Sequence, residues 1–551
     1  MRRTFAIALT AAILGITAAC GAAEETPKLQ KSLHMVPMRD GTRLSTVVYR
    51  PADQKGPLPV IFIRGPYGKL PQQAAAGMCA RGYVVVSQDV RGRFDSEGND
   101  AIVFHNGGWS ERRDGHDSIN WITEQEWSDD NIASWGGSAL GITQNMQAVD
   151  APPALKAQWV MVAFSDMYSQ GSYQGGALRQ SLMKTWLKKH KFDPRSLETF
   201  LAHPKYDKFW EEVNPEARAA DVHAPGVYFG GWYDIFLQGT LNSFETIHNH
   251  GGDGARGNCR LIVGPYAHGG FTELTYPDNS AIPNAPQAGD ALRYFDHFIK
   301  GIDNGVENDQ PVHYYVMGDP EDNTAPGNFW RSADNWPPPS QLTPFYFHQN
   351  HQLSQAPPTT DGSLEYQYDP ENPVPTVGGQ NLFLDRGPKD QRKIESRDDV
   401  LLFTTDTLTE PVEVSGRIRA TLFVSSDCPD TDFTVKLSDV YPDGRSMLVT
   451  DGILRARHRI GFDREDFLKP GEIYELTVDL WSTSLIFNRG HKIRIAVSSS
   501  NNPRFDTNPN TGSPIRSDDK TRVATNKLYL SPTRASHVTL PIFTAPATTG
   551  K

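Results

Sequence analysis

Between residues 36 and 300 the chain alternates short, wholly apolar runs with stretches whose apolar positions recur every three or four residues. Pro59-Val-Ile-Phe-Ile63, Tyr83-Val-Val-Val-Ser87 and Ala157-Gln-Trp-Val-Met-Val-Ala163 have the hydrophobicity of strands buried on both faces. Gln72 to Arg81, ending at Gly82, and Asp114 to Gln125, acidic in its first turn, read as helices. Val36 to Tyr49 reads as a hairpin turning at Asp40-Gly41. Strands recur at Gly226–Gly230 and Arg260–Gly264. A last helix, Pro286 to Lys300, gathers Leu292, Phe295, Phe298 and Ile299 on one side. Such alternation winds into a mainly parallel sheet through right-handed crossovers. The rhythm breaks between 165 and 222, where Leu178–Lys191 and Ser196–Ala202 look helical without buried strands between them. That stretch is expected to be a helical cap over the sheet.

Beyond residue 310 the period becomes two. Arg417–Val424, Phe433–Leu437, Ile473–Val478 and Lys492–Val497 alternate, and Pro-rich loops such as Pro337-Pro338-Pro339 separate the runs. This pattern predicts an all-β sandwich of jelly-roll type. The expected organisation is an α/β catalytic domain from 33–164 and 223–310, a cap from 165–222, and a β-domain from 311–546.

The N-terminus changes the picture of where the protein works. Arg2-Arg3 precedes an apolar run from Phe5 to Ala19, too short to span a bilayer comfortably, so residues 1–20 read as an export signal. Thr17-Ala18-Ala19-Cys20-Gly21 resembles a lipobox, which would lipidate Cys20 and anchor it to a membrane. The alternative is an ordinary signal peptide cleaved at a nearby alanine. Either implies an exported protein, in the periplasm or cell envelope or secreted, with a polar tether over 21–32. The 551 residues carry a net charge of -11 and no long basic block, which argues against nucleic acid as a partner. Cys79, Cys259 and Cys428 lack metal-ligand spacing and are expected as buried thiols, although one disulfide is open to them. His248 and His250 have no accompanying carboxylate pattern, so no metal is assigned, and no cofactor is implied. The oligomeric state is left open, a homo-oligomer included.

The candidate chemistry centres on Trp135-Gly-Gly-Ser138-Ala-Leu-Gly141, where a strand over 131–135 meets a helix beginning at Gly141. A serine on so sharp an elbow is pushed clear of the sheet, beside helix N–H groups suited to an oxyanion. Gly-Gly-Ser is also common in turns, and Leu140 stands where the second glycine of Gly-x-Ser-x-Gly belongs. A serine hydroxyl needs a base, and the base needs an orienting carboxylate. Asp234 ends Gly230-Gly-Trp-Tyr-Asp234 after one expected strand, and His268 ends Gly264-Pro-Tyr-Ala-His268 after the next. The order Ser, Asp, His on successive strand ends is that of α/β hydrolases. Ala139 N–H would be one oxyanion donor. The second should lie on the loop Arg64–Lys69, where spacing leaves open whether Tyr67 donates its hydroxyl or merely packs.

Arg64-Gly-Pro-Tyr67, Gln88-Asp-Val-Arg-Gly-Arg93, Gly137-Ser138-Ala-Leu-Gly141, Gly231-Trp-Tyr-Asp234 and Gly264-Pro-Tyr-Ala-His268 together resemble the CocE/NonD hydrolases. These are cocaine-esterase and α-amino acid ester hydrolase relatives of X-Pro dipeptidyl-peptidases. The resemblance implies Ser138, Asp234 and His268 as the triad, with the Tyr67 hydroxyl and Ala139 amide as the oxyanion hole. It implies a secreted serine hydrolase acting on small-molecule esters or amides. The alternatives are an X-Pro dipeptidyl-peptidase, an α-amino acid ester hydrolase, a β-lactam acylase, or a surface lipoprotein that only binds. Ile235-Phe236 follows Asp234 where α-amino acid ester hydrolases carry acidic residues, which suggests an apolar acyl pocket including Phe236. By the same resemblance Tyr173 of the cap and Leu402-Phe403 of the β-domain would close the pocket. Asp89 and Arg91 are expected to form a structural ion pair, and Asp166-Met-Tyr168 to set the cap hinge.

Overall fold

The computed structural model describes residues 28–270, 273–279, 282, 285–517 and 519–544. The expected export signal and Cys20 lie outside the described residues.

Ten strands form one sheet. They are β1 (Leu29–Pro37), β2 (Arg43–Pro51), β3 (Leu58–Gly65), β4 (Val84–Asp89), β5 (Ser128–Gly137), β6 (Leu155–Met161), β9 (Gly226–Tyr233), β10 (Arg260–Ala267), β11 (Val312–Val316) and β12 (Phe329–Ala333). Their order is β1-β2-β4-β3-β5-β6-β9-β10-β11-β12. Strands from β4 through β11 run parallel, and antiparallel neighbours finish both edges. The alternation within β3 shows why the sheet is covered on both faces. Ile61 and Ile63 pack with residues of the helices Gln72–Ala80 and Ala291–Lys300, whereas Val60 and Phe62 pack toward Ile119 and Ile122 of the helix Asp114–Thr123. Each such side chain, fully buried, contributes about 1.5–3 kcal/mol.

Three boundaries differ from the sequence expectation. The tether does not reach 32, because β1 begins at Leu29 and pairs with β2. Residues 312–333 belong to the catalytic sheet rather than to the β-domain. Val312–Val316 follows a helical crossover and pairs parallel to β10, and the chain then folds back as an antiparallel edge. The cap, between β6 and β9, is not purely helical. Asp166 accepts from Tyr168 N at 2.9 Å and caps a wide turn, Met167–Ser172. A two-strand hairpin follows, β7 (Tyr173–Gln174) and β8 (Ala177–Leu178), and then the helices Gln180–Lys189 and Arg195–Ala202.

The remaining strands form two antiparallel sheets. One is built around the strands Val412–Ser426 and Tyr474–Phe487, the other around the strands Asp432–Val440 and Lys492–Ser498. This β-rich domain is stitched to the rest by main-chain bonds. Met317 N donates to Ser484 O at 3.0 Å, and Ile486 N to Met317 O at 2.8 Å. The cap hairpin is held just as closely. Arg455 N donates to Gly175 O at 2.8 Å, and Leu178 N to Asp506 Oδ1 at 2.8 Å. Gly175 and Gly176 turn with φ of 55° and 78°, and a Cβ on Gly175 would lie 1.8 Å from Ile453 O. Only glycine permits that approach. Cys79, Cys259 and Cys428 are separate buried thiols.

Candidate active site

At the end of β5 the chain turns through Ser138, at φ 58° and ψ -127°, into the helix Ala139–Ala148. A β-carbon in this region of backbone space is strained, and neighbours hold it there. Ser138 N donates to Met161 O at 2.9 Å, and Ser138 O accepts from Gly141 N and Ile142 N, each at 2.8 Å. The displaced glycine of the elbow has a steric answer. A Cβ on Gly136 would meet Leu140 Cβ at 2.5 Å, and one on Gly65 would meet Leu140 Cγ at 2.7 Å. The room that Leu140 occupies is thus vacated by two other residues.

The next two strand ends converge on this serine. His268 Nε2 lies 2.9 Å from Ser138 Oγ, and His268 Nδ1 lies 2.5 Å from Asp234 Oδ2. The other oxygen, Asp234 Oδ1, accepts from Phe236 N at 2.7 Å. Asp234 is wholly buried and His268 nearly so. A carboxylate so placed accepts from Nδ1–H, which leaves Nε2 free to take a proton from the hydroxyl.

Ala139 occupies the first turn of its helix, where an N–H has no intrahelical acceptor. Tyr67 lies on the loop after β3 and lines the same cavity as Ser138 and Ala139. Its hydroxyl accepts from Trp186 Nε1 at 2.8 Å. Burial pushes its pKa up to about 12 although the bond from Trp186 opposes the rise, so the phenol keeps its proton at working pH. The loop carrying Tyr67 is braced from two sides. Lys69 Nζ reaches Asp89 Oδ2 at 2.6 Å, and Arg93 Nε donates to Pro66 O at 3.2 Å. This corrects the expected Asp89–Arg91 pair. The chain turns at Val90, so the two side chains diverge. Arg91 pairs instead with Asp40 at 2.8 Å and Asp114 at 2.6 Å.

A cavity opens onto Ser138. Phe164, Ile235 and Phe236 wall one part of it, and Leu182, Met183 and Trp186 of the cap helix another. Phe236 is therefore at the cavity, but Tyr173, Leu402 and Phe403 are not. Tyr173 is buried against Tyr168 and Trp210 and donates to Phe200 O at 3.2 Å. Phe403 stacks on Phe347 inside the β-domain, ring centroids 4.5 Å apart, and Leu402 packs against a small satellite cluster. The β-domain residue that reaches the cavity is Leu382. Among the described residues no carboxylate lines it.

Two residues of the cap escaped the sequence reading. Trp186 lies on the apolar stripe of its helix with Leu182, Met183 and Leu187, and that stripe was the available signal. Arg179 gave none. It is 2% exposed, and its Nη2 donates to Ile235 O at 2.8 Å, gripping the residue after Asp234. Burial, with Arg504 adding to it, draws its pKa down to about 9, and Asp234 opposes the fall.

Fold and hydrogen-bonded chain together place the protein among the serine hydrolases built on an α/β sheet. The family model for the X-Pro dipeptidyl-peptidase (S15 family) matches residues 40–196 and 180–270. That for the X-Pro dipeptidyl-peptidase C-terminal non-catalytic domain matches residues 304–539. Cocaine esterase of Rhodococcus sp. (strain MB1 Bresler) is 35% identical over 585 residues, covering 92% of this chain and 97% of that protein. The chain belongs to the CocE/NonD family of X-Pro peptidase-like hydrolases. Among solved structures, an aminopeptidase from the marine sediment archaeon Thaumarchaeota archaeon superposes with a TM-score of 0.80 at 22% identity. The match covers 96% of this chain and 99% of that one. A selenomethionine-labelled α-amino acid ester hydrolase superposes with a TM-score of 0.77 at 25% identity, over 96% and 99% of the two chains.

Proposed function

We propose that the protein is an exported carboxylic-ester hydrolase that forms an acyl-enzyme on Ser138 and accepts an uncharged, apolar acyl group of aromatic size. The observation that carries this reading is an apolar cavity opening onto a hydroxyl already bonded to an imidazole–carboxylate pair. Ser138 Oγ attacks the carbonyl carbon while its proton passes to His268 Nε2. Asp234 holds the imidazole in the required tautomer. Negative charge gathers on the former carbonyl oxygen, where the Tyr67 hydroxyl and Ala139 N–H receive it. Each donor of this kind supplies about 3–4 kcal/mol. His268 returns the proton to the departing alkoxide. It then takes one from the water that frees the acid and restores Ser138.

An ester fits better than a peptide or an α-amino acid ester. Those substrates bring an ammonium group, and burying it against Phe164, Ile235 and Phe236 without a counter-charge costs several kcal/mol. The cocaine esterase name of the 35% identical relative supports the same choice. Arg2-Arg3 and the apolar run to Ala19 support export, with Cys20 as the lipidated N-terminus.

A fluorophosphonate probe tests the nucleophile. Wild type should label and Ser138→Ala should not. An unlabelled wild type would favour a binding protein with a decayed site. Steady-state assays then test the substrate class. Aryl esters of benzoic acid should exceed α-amino acid esters and X-Pro anilides in kcat/KM by ~100-fold or more. Equal or reversed values would refute the apolar assignment.

A further inference from the structure

We propose that Trp186, on the cap helix, is a positioning residue for the oxyanion donor Tyr67. Its indole N–H dictates which way the Tyr67 proton points, so the cap helps to build the catalyst as well as the pocket wall. The proposal rests on the reading of Tyr67 as an oxyanion donor.

The argument is one of hydrogen-bond polarity. An indole N–H can only donate, and an ionised carboxylate can only accept. Trp186 Nε1 therefore gives its proton to Tyr67 Oη, 2.8 Å away. Tyr67 has a single proton, which must leave the oxygen in another direction, and Tyr67 lines the cavity that also holds Ser138 and Ala139, so that proton can be offered there. Ser138 donates its own proton to His268 Nε2 at 2.9 Å, and His268 Nδ1–H donates to Asp234 at 2.5 Å. Without the indole N–H, nothing would fix the Tyr67 hydroxyl, and its proton could turn away from the place where the oxyanion forms.

The indole is placed for this task by packing. It stacks on Phe104 at 5.9 Å between centroids and meets Phe192 at 4.5 Å. His190, one helical turn on, packs against the Tyr67 ring at 4.7 Å. When the tetrahedral intermediate forms, Tyr67 Oη can stay anchored on the indole while its O–H rotates toward the new oxyanion. The donated bond also draws electron density from the phenol, which strengthens the proton it offers.

The test is a double-mutant cycle on hydrolysis of an uncharged aryl ester. Tyr67→Phe alone should lower kcat by ~100-fold or more. Trp186→Phe keeps a ring in the wall but loses the N–H. It should lower kcat roughly 10-fold with little change in KM, the size of one neutral hydrogen bond felt in the transition state alone. In the Tyr67→Phe background Trp186→Phe should cost nothing further. Replacing Trp186 by benzothienylalanine, which exchanges the N–H for sulfur at nearly constant shape, should reproduce the kcat loss and so separates the hydrogen bond from packing. Full additivity of the two phenylalanine variants, a loss confined to KM, or an unimpaired benzothienylalanine enzyme would overturn the proposal. An unimpaired Tyr67→Phe would instead overturn the oxyanion reading beneath it.

Discussion

At the scale of single residues, Leu140 shows how a motif can depart from its usual letters and keep its shape. Its side chain fills space left by Gly65 and Gly136, where a Cβ would come within 2.7 and 2.5 Å of it. Gly65→Ala should therefore overpack the elbow and lower kcat about 10-fold or more, since inserted methyl groups in filled sites cost about 1–3 kcal/mol. Leu140→Ala should restore much of that loss in the double variant, and failure of that rescue would mean the clash is not the cause. Ser138, Asp234 and His268 were legible because each follows an apolar run in an order that topology makes neighbours. Their spacing of 2.9 and 2.5 Å was not legible, being set by how far neighbouring strand ends extend. Arg179 could not be found at all. A lone arginine in a cap sequence gives no hint that it will be buried against the carbonyl of Ile235.

At the scale of elements, the cap begins on a buried acid. Burial pushes the Asp166 carboxyl up to about 6, while hydrogen bonds from Ser169 and Tyr168 oppose the rise and the nearby Glu216 adds to it. In an unfolded chain the same group titrates near its ordinary value of about 3.9. A carboxyl that holds its proton more tightly when folded favours the folded state at low pH, and that advantage is lost as pH rises through the folded pKa. Asp166→Asn removes this titration. Its stability relative to wild type should therefore grow by on the order of 2 kcal/mol between pH 4 and pH 8. Chemical denaturation at both pH values measures the difference, and a pH-independent offset would contradict it. The helix Gln180–Lys189 was readable from its apolar stripe, but the hairpin before it was not. Two-residue strands carry no period, and what holds them is contact with a distant domain, Arg455 N to Gly175 O at 2.8 Å.

At the scale of the whole molecule, the β-rich domain shares one apolar core with the catalytic sheet. A continuous cluster of buried residues runs from Ile142 and Phe236 through Tyr315 and Met317 to Leu480 and Leu485. Main-chain bonds at Met317 and the bond from Tyr233 Oη to Leu448 O at 3.0 Å cross the same boundary. Scanning calorimetry should accordingly show one cooperative transition for the full chain, and two resolved transitions would refute a common core. The sequence separated α/β from all-β character correctly in kind but misplaced the seam. The expected β-domain began at 311, and only the pairing of Val312–Val316 with Arg260–Ala267, and of Phe329–Ala333 with Val312–Val316, reveals which sheet owns them.

The glycine pair at the tip of the cap hairpin has a consequence for traffic in and out of the protein. With Gly175 wedged against Ile453 and its carbonyl tied to Arg455, that end of the roof is an anchored hem and cannot lift without tearing backbone bonds. Elsewhere the cavity is lined by side chains, Leu182 and Trp186 of the cap helix and Leu382 of the β-domain among them. Leu182 and Leu382 take no part in the chemistry, so exchanging them for smaller or larger side chains is the way to ease or throttle turnover of bulky guests without disturbing the frame.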